Sequence, residues 1–355
     1  MTEQLRVGIV GCGAIAGNHA EAYLAAEGAV VVGCCDVDTD RATSFAASAG
    51  ISSAVETVDE LLDLGLDVVS VCTPHPTHES VVVAAASRGV HVLCEKPIAV
   101  DSASARRMID ACEDAGVVLG VLFQRRFWPA AQRLRAAIDD GTLGDPVLGH
   151  CSVLLHREPE YYSADAWRGM WATDGGGVLM TQGIHYIDLL QWFMGPVAEV
   201  TGRVGTFKHG EHIEVEDSAV ATLLFESGAL ATVQASTAVT PNLGVQVRVT
   251  GRNGASASVS EYPEGEPGAN DLWAVPGEAH YAPVYDDGVE PNVPLSQINA
   301  RLAPFHALQI ADFVDAIRSG REPAVTGREA LKSLQIVTAV YESAVRGMPV
   351  RIGDE

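Results

Sequence analysis

Lysine is nearly missing from this chain: Lys96, Lys208 and Lys332 are the only three, and arginine carries the rest of the positive charge. A site that keeps an ammonium against that background is a candidate for chemistry, with a solvated loop lysine as the plainer alternative at Lys96. A compact charge on a flexible stem shifts its pKa when desolvated and can bond a reacting oxygen. Positive charge as a whole is scarce, with 23 Lys and Arg against 46 Asp and Glu, a formal net charge of −23. Such a chain repels nucleic acid and anionic membrane, so neither is expected as a partner. Long apolar runs are also missing: none reaches the roughly 18 to 20 residues needed to cross a bilayer. The opening Met1-Thr2-Glu3-Gln4-Leu5-Arg6 has neither the basic region nor the apolar stretch of a secretory signal, which points to the cytoplasm. The seven cysteines all lie at or before Cys151 without paired zinc-ligand spacing. They are expected as small buried hydrophobes, with no disulfide and no metal site.

What is present is globular: 47% hydrophobic and 19% charged residues over 355 positions, a length that suggests two domains or one large one. Leu5 to Val10 predicts a strand. Gly11-Cys12-Gly13-Ala14-Ile15-Ala16 follows at once, then an alanine-rich helix. In this G-x-G-x-x-A pattern Gly11 permits the tight turn and Gly13 lets backbone approach a pyrophosphate. The small Ala16 lets the helix pack on the strand with its N-terminus toward the phosphates. A second strand, Ala29 to Cys35, ends in Asp36, where an acid would accept ribose hydroxyls. That carboxylate would repel a 2′-phosphate, so NAD is expected over NADP, with Arg41 softening the preference. Strand and helix keep alternating to Phe123. A loop at Thr73-Pro74-His75-Pro76-Thr77-His78 sits where the nicotinamide half of a dinucleotide would rest; helix capping or simple exposure would also account for its histidines.

The strand His91 to Cys94 stops abruptly at Glu95-Lys96-Pro97. Its carboxyl end is where open α/β sheets bind ligands, so Glu95 and Lys96 belong to the candidate site. A cis Lys96–Pro97 bond is expected, to turn the lysine into the cleft. Composition changes at Gln124-Arg125-Arg126-Phe127-Trp128-Pro129, which places a domain boundary between residues 124 and 125. The expected division is therefore 1–124 and 125–355.

In the second part Trp167-Arg168 and Gly175-Gly176-Gly177 lead into Thr181-Gln182-Gly183-Ile184-His185-Tyr186-Ile187-Asp188, predicted as the start of a buried helix. His185 and Asp188 share a face at i and i+3, so the carboxylate could set the imidazole tautomer; a satisfied core histidine is the plainer alternative. Strands at 197–207, 218–225, 229–238 and 245–250 with tight turns predict an antiparallel sheet. Residues 261–294 are expected as a surface excursion, and 305–319 and 328–346 as closing helices.

The ordered set Gly11-Cys12-Gly13-Ala14-Ile15-Ala16, Glu95-Lys96-Pro97, Arg126-Phe127-x-Pro129, Trp167-Arg168, Gly175-Gly176-Gly177 and Gly183-x-His185-x-x-Asp188 resembles the Gfo/Idh/MocA oxidoreductases along the whole chain. The resemblance implies an α/β fold, with an N-terminal Rossmann domain and a C-terminal α+β domain whose mostly antiparallel open sheet forms homodimer or homotetramer contacts. It also implies hydride transfer between NAD or NADP and a secondary alcohol of a sugar, sugar derivative or cyclitol. Lys96 and His185 would be catalytic. The cofactor would be met by Gly11, Gly13, Ala14, Ile15, Ala16, Asp36, Arg41, Thr73, Pro74, His75, His78, Glu95 and Lys96. The substrate would be met by Lys96, Arg126, Trp167, Arg168, Thr181 and His185. Members that resemble inositol dehydrogenases carry an aspartate where Thr181 stands, so no charged relay is expected there. Two alternatives share the fold: a redox-neutral NAD-dependent glycosidase or lyase, with Tyr161, Tyr162 or Tyr186 as the acid, and a non-catalytic dinucleotide-dependent binding protein.

Overall fold

The computed structural model describes residues 4–165, 167–278 and 289–353. The first elements are β1 (Leu5–Val10), α1 (Ala16–Ala25), β2 (Ala29–Cys35), α2 (Thr39–Ala49), β3 (Ser53–Val55), α3 (Val58–Leu62), β4 (Val68–Val71), α4 (His78–Ser87), β5 (His91–Cys94), α5 (Ser102–Asp114) and β6 (Leu119–Val121). There follow α6 (Pro129–Asp139), β7 (Pro146–Leu154), α7 (Pro159–Ser163), α8 (Trp171–Asp174), a π-helical turn Leu179–Gly183, α9 (Ile184–Met194) and β8 (Val197–Gly205). The chain ends with β9 (Ser218–Phe225), β10 (Leu230–Ser236), β11 (Gly244–Gly251), β12 (Ser256–Glu261), β13 (Trp273–Ala274), α10 (Leu295–Ser319), α11 (Gly327–Arg346) and β14 (Val350–Arg351).

Backbone packing divides the chain into two compact units, Met1–Gln124 with Leu302–Leu331, and Arg125–Arg301 with Lys332–Glu355. The segment Leu302–Leu331, assigned from sequence to the second part, thus packs with the first. Its Ile310, Phe313 and Val314 are buried in one core with Val7, Ile9, Tyr23 and Leu93, and Gln309 donates to the Val121 carbonyl at 2.7 Å.

The first unit holds a parallel sheet in the order β3-β2-β1-β4-β5-β6. Helices cover both faces of such a sheet, so its strands are mostly apolar, and all four residues of β4 are buried. Asp38 caps α2, Asp101 caps α5, and Thr57 with Glu60 forms a capping box on α3, each satisfying amides that a helix start leaves bare. Register decides the site. Val71 pairs with Val10 and with Cys94, Val10 also pairs with Cys35, and Cys94 pairs with Val121. The residues that follow these strands, Gly11, Asp36, Cys72-Thr73 and Glu95, therefore share the carboxyl edge, where the strand order reverses between β1 and β4.

The second unit holds a sheet in the order β13-β12-β11-β7-β10-β9-β8-β14. It is mostly antiparallel, with β10 parallel to β7 as the exception. Along β9 burial alternates strictly: Ala219, Ala221, Leu223 and Phe225 are buried, while Val220 and Leu224 stay open. Leu230 lies opposite both Leu224 and Leu148 in register, and all three are exposed, so an apolar row runs across three adjacent strands. Within the stretch expected as a surface excursion, β13 pairs with β12, and residues 279–288 lie outside the described residues. Among the described residues no helix is long and apolar enough to cross a membrane.

Candidate active site

The first unit presents a glycine loop with an open side. Gly11 has φ +90°, and a Cβ there would stand 2.7 Å from the Cys72 carbonyl oxygen, so only glycine fits. At Gly13 a Cβ would meet nothing within 4 Å. The helix behind this loop, α1, starts at Ala16 with no side-chain cap and no acid in its first turn. The positive end of the helix dipole, with no side chain or acid competing for it, suits an anion. Ala14 and Ile15 complete the loop, and Ala16 is fully buried against the sheet.

Asp36 stands beside this loop. Its Oδ2 accepts the Cys12 amide at 2.8 Å, its Oδ1 accepts the Asp38 amide at 3.0 Å, and Arg41 reaches it at 3.4 Å. Arg41 is also paired with Asp38 at 3.2 Å, so its charge is divided between two acids. After β4, Pro74 is exposed and His75 buried, and the Thr73 hydroxyl has no partner among the described residues. His78 departs from expectation. It is wholly buried, with Nδ1 3.0 Å from the Pro97 carbonyl and 3.3 Å from that of Ile98, and Nε2 2.9 Å from the Thr73 carbonyl. Both nitrogens face backbone carbonyls, one of them as the donor, so this ring is packed between two loops and presents neither nitrogen to a cofactor.

Glu95 and Lys96 leave β5 together, and the Lys96–Pro97 bond is cis. Oε2 of Glu95 accepts the Lys96 amide at 3.1 Å, and Oε1 lies 3.0 Å from Nε2 of His19 on α1 and 3.8 Å from Nε2 of His306 on α10. His19 Nδ1 meets the Ser70 hydroxyl of β4 at 2.7 Å. Burial alone would push the Glu95 carboxyl up. The His19 hydrogen bond and the charges of His19, His306 and Lys96 outweigh burial and hold it at about 2. Sequence reading missed His19, Ser70 and His306. The available signal was a polar ring at i, i+4 to Tyr23 on an otherwise alanine-rich helix.

In the second unit a π-helical turn, Leu179–Gly183, runs directly into α9, whose second residue is the buried His185. Such turns recur at functional sites because they displace side chains from the helical repeat. Glu216 anchors it: Oε2 accepts the Gly177 amide at 2.8 Å, Oε1 accepts the Leu179 amide at 3.0 Å, and Tyr341 donates to Oε1 at 2.9 Å. Gly177 must be glycine, since a Cβ would collide with the Glu216 carbonyl oxygen at 1.7 Å. Burial lifts the Glu216 carboxyl to about 7 against the pull of those bonds. Thr181 donates to the Gly177 carbonyl at 2.8 Å and also meets Gln182.

The Tyr161 hydroxyl accepts from Arg168 Nη1 at 2.8 Å and from Gln182 Nε2 at 2.9 Å, which orients its own O–H to donate. Arg168 stacks over the rings of Trp167 and Tyr161, each 4.6 Å from centroid, and pairs with Asp165. Asp188 is the counter-ion of Arg126: both oxygens accept from its guanidinium at 2.7 Å, and Ser333 adds a bond at 2.9 Å. Arg126, expected to touch substrate, is 3% exposed with Nε and Nη2 committed to that carboxylate, so it supports α9 from within. Sequence spacing had offered Asp188 to His185. The structure gives its carboxylate this arginine.

A family model described as an oxidoreductase family with an NAD-binding Rossmann fold matches residues 5–123, and the GFO/IDH/MocA C-terminal domain matches 131–256. The D-apiose dehydrogenase of Paraburkholderia graminis is 31% identical over 97% of this chain and 88% of its own length. The chain belongs to the Gfo/Idh/MocA family. The myo-inositol 2-dehydrogenase of Thermotoga maritima is 27% identical over 98% of both chains. The WlbA dehydrogenase of Bordetella pertussis, solved with NADH and UDP-GlcNAcA, superposes with a TM-score of 0.86 at 29% identity, covering 99% of this chain and 100% of that one. This family member is an NAD(P)-dependent dehydrogenase or reductase. The first unit fits a dinucleotide: the empty side of Gly13 and the uncapped start of α1 would receive its phosphates, Asp36 would meet its adenosine ribose, and the Thr73 hydroxyl, unpartnered among the described residues, would be left for its nicotinamide half.

Proposed function

We propose that this protein transfers a hydride between NAD(P) and a secondary alcohol of a sugar, sugar derivative or cyclitol, with Lys96 and His185 handling alkoxide and proton. The observation that carries the reading is the Glu95–Lys96 turn: one of only three lysines in the chain leaves a buried, anionic glutamate at the carboxyl edge of the parallel sheet. The names of relatives, apiose and inositol dehydrogenases among them, support the substrate class. A bound dinucleotide supplies the hydride acceptor. Removing the hydroxyl proton needs a base near neutral pH, the role of the His185 imidazole. The charge that develops on oxygen needs a cation, the role of the Lys96 ammonium. Asp36 and Asp38 flank Arg41 and oppose a further phosphate, which favours NAD over NADP.

Purified protein screened with a panel of sugars and cyclitols, with each cofactor, should reduce NAD in preference to NADP. With the substrate so found, Lys96→Met and His185→Ala should each lose at least a hundredfold in kcat/KM. Wild-type turnover in either variant would end the assignment. Tyr161 favours one competing reading, since its oriented O–H could act as the acid of a redox-neutral elimination. Consumption of a glycoside without change in absorbance near 340 nm would select that reading. The exposed row Leu148, Leu230 and Leu224 supports self-association through the second unit's sheet, as a dimer or tetramer.

A further inference from the structure

Three buried imidazoles, on α1, α4 and α10, address the four residues Glu95 to Ile98. His19 donates from Nε2 to Oε1 of Glu95 at 3.0 Å, and its other nitrogen, Nδ1, meets the Ser70 hydroxyl at 2.7 Å. His306 donates from Nδ1 to the Leu302 carbonyl at 3.0 Å, and its Nε2 lies 3.8 Å from the same glutamate oxygen, a charge contact made by the doubly protonated ring and not a hydrogen bond. His78 spans from the Thr73 carbonyl to those of Pro97 and Ile98. Glu95 in turn holds the Lys96 amide. A turn needing only shape could be held by apolar packing. A buried carboxylate needs partners in one particular arrangement to offset its desolvation, so it fixes a geometry more narrowly than apolar packing does. Among the described residues no group of three His, Cys, Asp or Glu is placed to hold a metal ion.

We propose that His19, His78 and His306 are positioning residues that clamp the Glu95-Lys96-Pro97 turn and so fix the direction of the Lys96 amine. This rests on the reading in which Lys96 works on substrate. The clamp also ties that lysine to the dinucleotide loop, because His19 lies one turn into the helix that the loop opens. Loop, helix, imidazole, carboxylate and lysine amide then form one continuous support, and movement at the glycine loop is felt at Lys96.

The test uses the scarcity of lysine and needs no substrate. Protein labelled with carbon-13 at lysine Cε gives three signals, and Lys96→Arg identifies the one from residue 96. In the parent the two Cε protons of Lys96 should be well separated, as in an ordered side chain. In His19→Leu and in Glu95→Gln they should converge, while the Lys208 and Lys332 signals stay in place. His19→Gln, which keeps an N–H donor, should restore part of the separation. In the His19 variants NADH binding, followed by tryptophan-to-nicotinamide energy transfer, should hold within about threefold. If His19→Leu does not fold, Ser70→Ala and His306→Gln carry the same expectation. An unmoved Lys96 signal in the folded variants, or equal change at all three lysines, overturns the clamp. A Lys96 signal that responds without any alcohol being turned over leaves the clamp standing and removes the dehydrogenase assignment. Turnover with an unmoved signal does the reverse.

Discussion

Glu216 should make the second unit less stable as pH rises through neutrality. Its carboxyl is almost wholly buried and carries two backbone amides and the Tyr341 hydroxyl, yet burial lifts it from an ordinary 4.5 to about 7. Between those values the folded chain holds a proton that the unfolded chain releases. The stabilisation is therefore complete below about 4.5 and is lost as pH climbs through 7. At about 1.4 kcal/mol per pH unit the loss approaches 3 kcal/mol. Glu216→Gln stays neutral at every pH. It introduces a fixed offset, because an amide offers one oxygen where the acid offers two, and it removes the slope. Melting curves of parent and variant between pH 4.5 and 8 should therefore diverge with pH, with the variant gaining on the parent. For a body of this size about 1 kcal/mol moves Tm by 2–4 °C, so the gap should change by roughly 6 to 12 °C. Curves that stay parallel within a degree or two would refute the reasoning, since no other group is altered.

Two more expectations follow from contacts within the second unit. Arg126→Met or Asp188→Leu alone strands a buried charge and should cost about 3–5 kcal/mol in urea unfolding. The double substitution should cost clearly less than the sum of the two, and strict additivity would mean that the pair seen at 2.7 Å contributes no coupling. Leu230→Lys places a charge in the middle of the exposed row of Leu148, Leu230 and Leu224. Light scattering should show the particle mass falling toward the monomer, and an unchanged oligomer would move the interface elsewhere.

What could be read from sequence was local. The strand, glycine loop and helix at Leu5 to Ala25 follow from neighbours in the chain, as do the Asp101 cap and the stop of β5 at Glu95. Long-range partners were not legible. His185 and Asp188 sit one helical turn apart, and spacing alone pairs them, but a buried carboxylate goes where two N–H donors already lie in a plane, which is Arg126. Proline misled at α10. Pro304 lacks the amide for an intrahelical bond, so sequence starts the helix after it, whereas the structure begins at Leu295 and carries the helix through.

The same distinction explains why the lysine was visible and its support was not. Lys96 stands out by composition, because ammonium is rare in this chain and this one follows an apolar strand. Each of the rings behind it looks ordinary in sequence: His19 on an alanine-rich helix, His78 at a helix start, His306 beside Phe305. Only the strand order β1-β4-β5 brings α1 to Ser70 and Glu95, and only the return of residues 302–331 to the first unit brings His306 to the same carboxylate. Chemistry that depends on one residue type at a strand end can be guessed from the chain. The direction in which that residue points is a property of the sheet, since it is set by groups the topology assembles from both ends of the sequence.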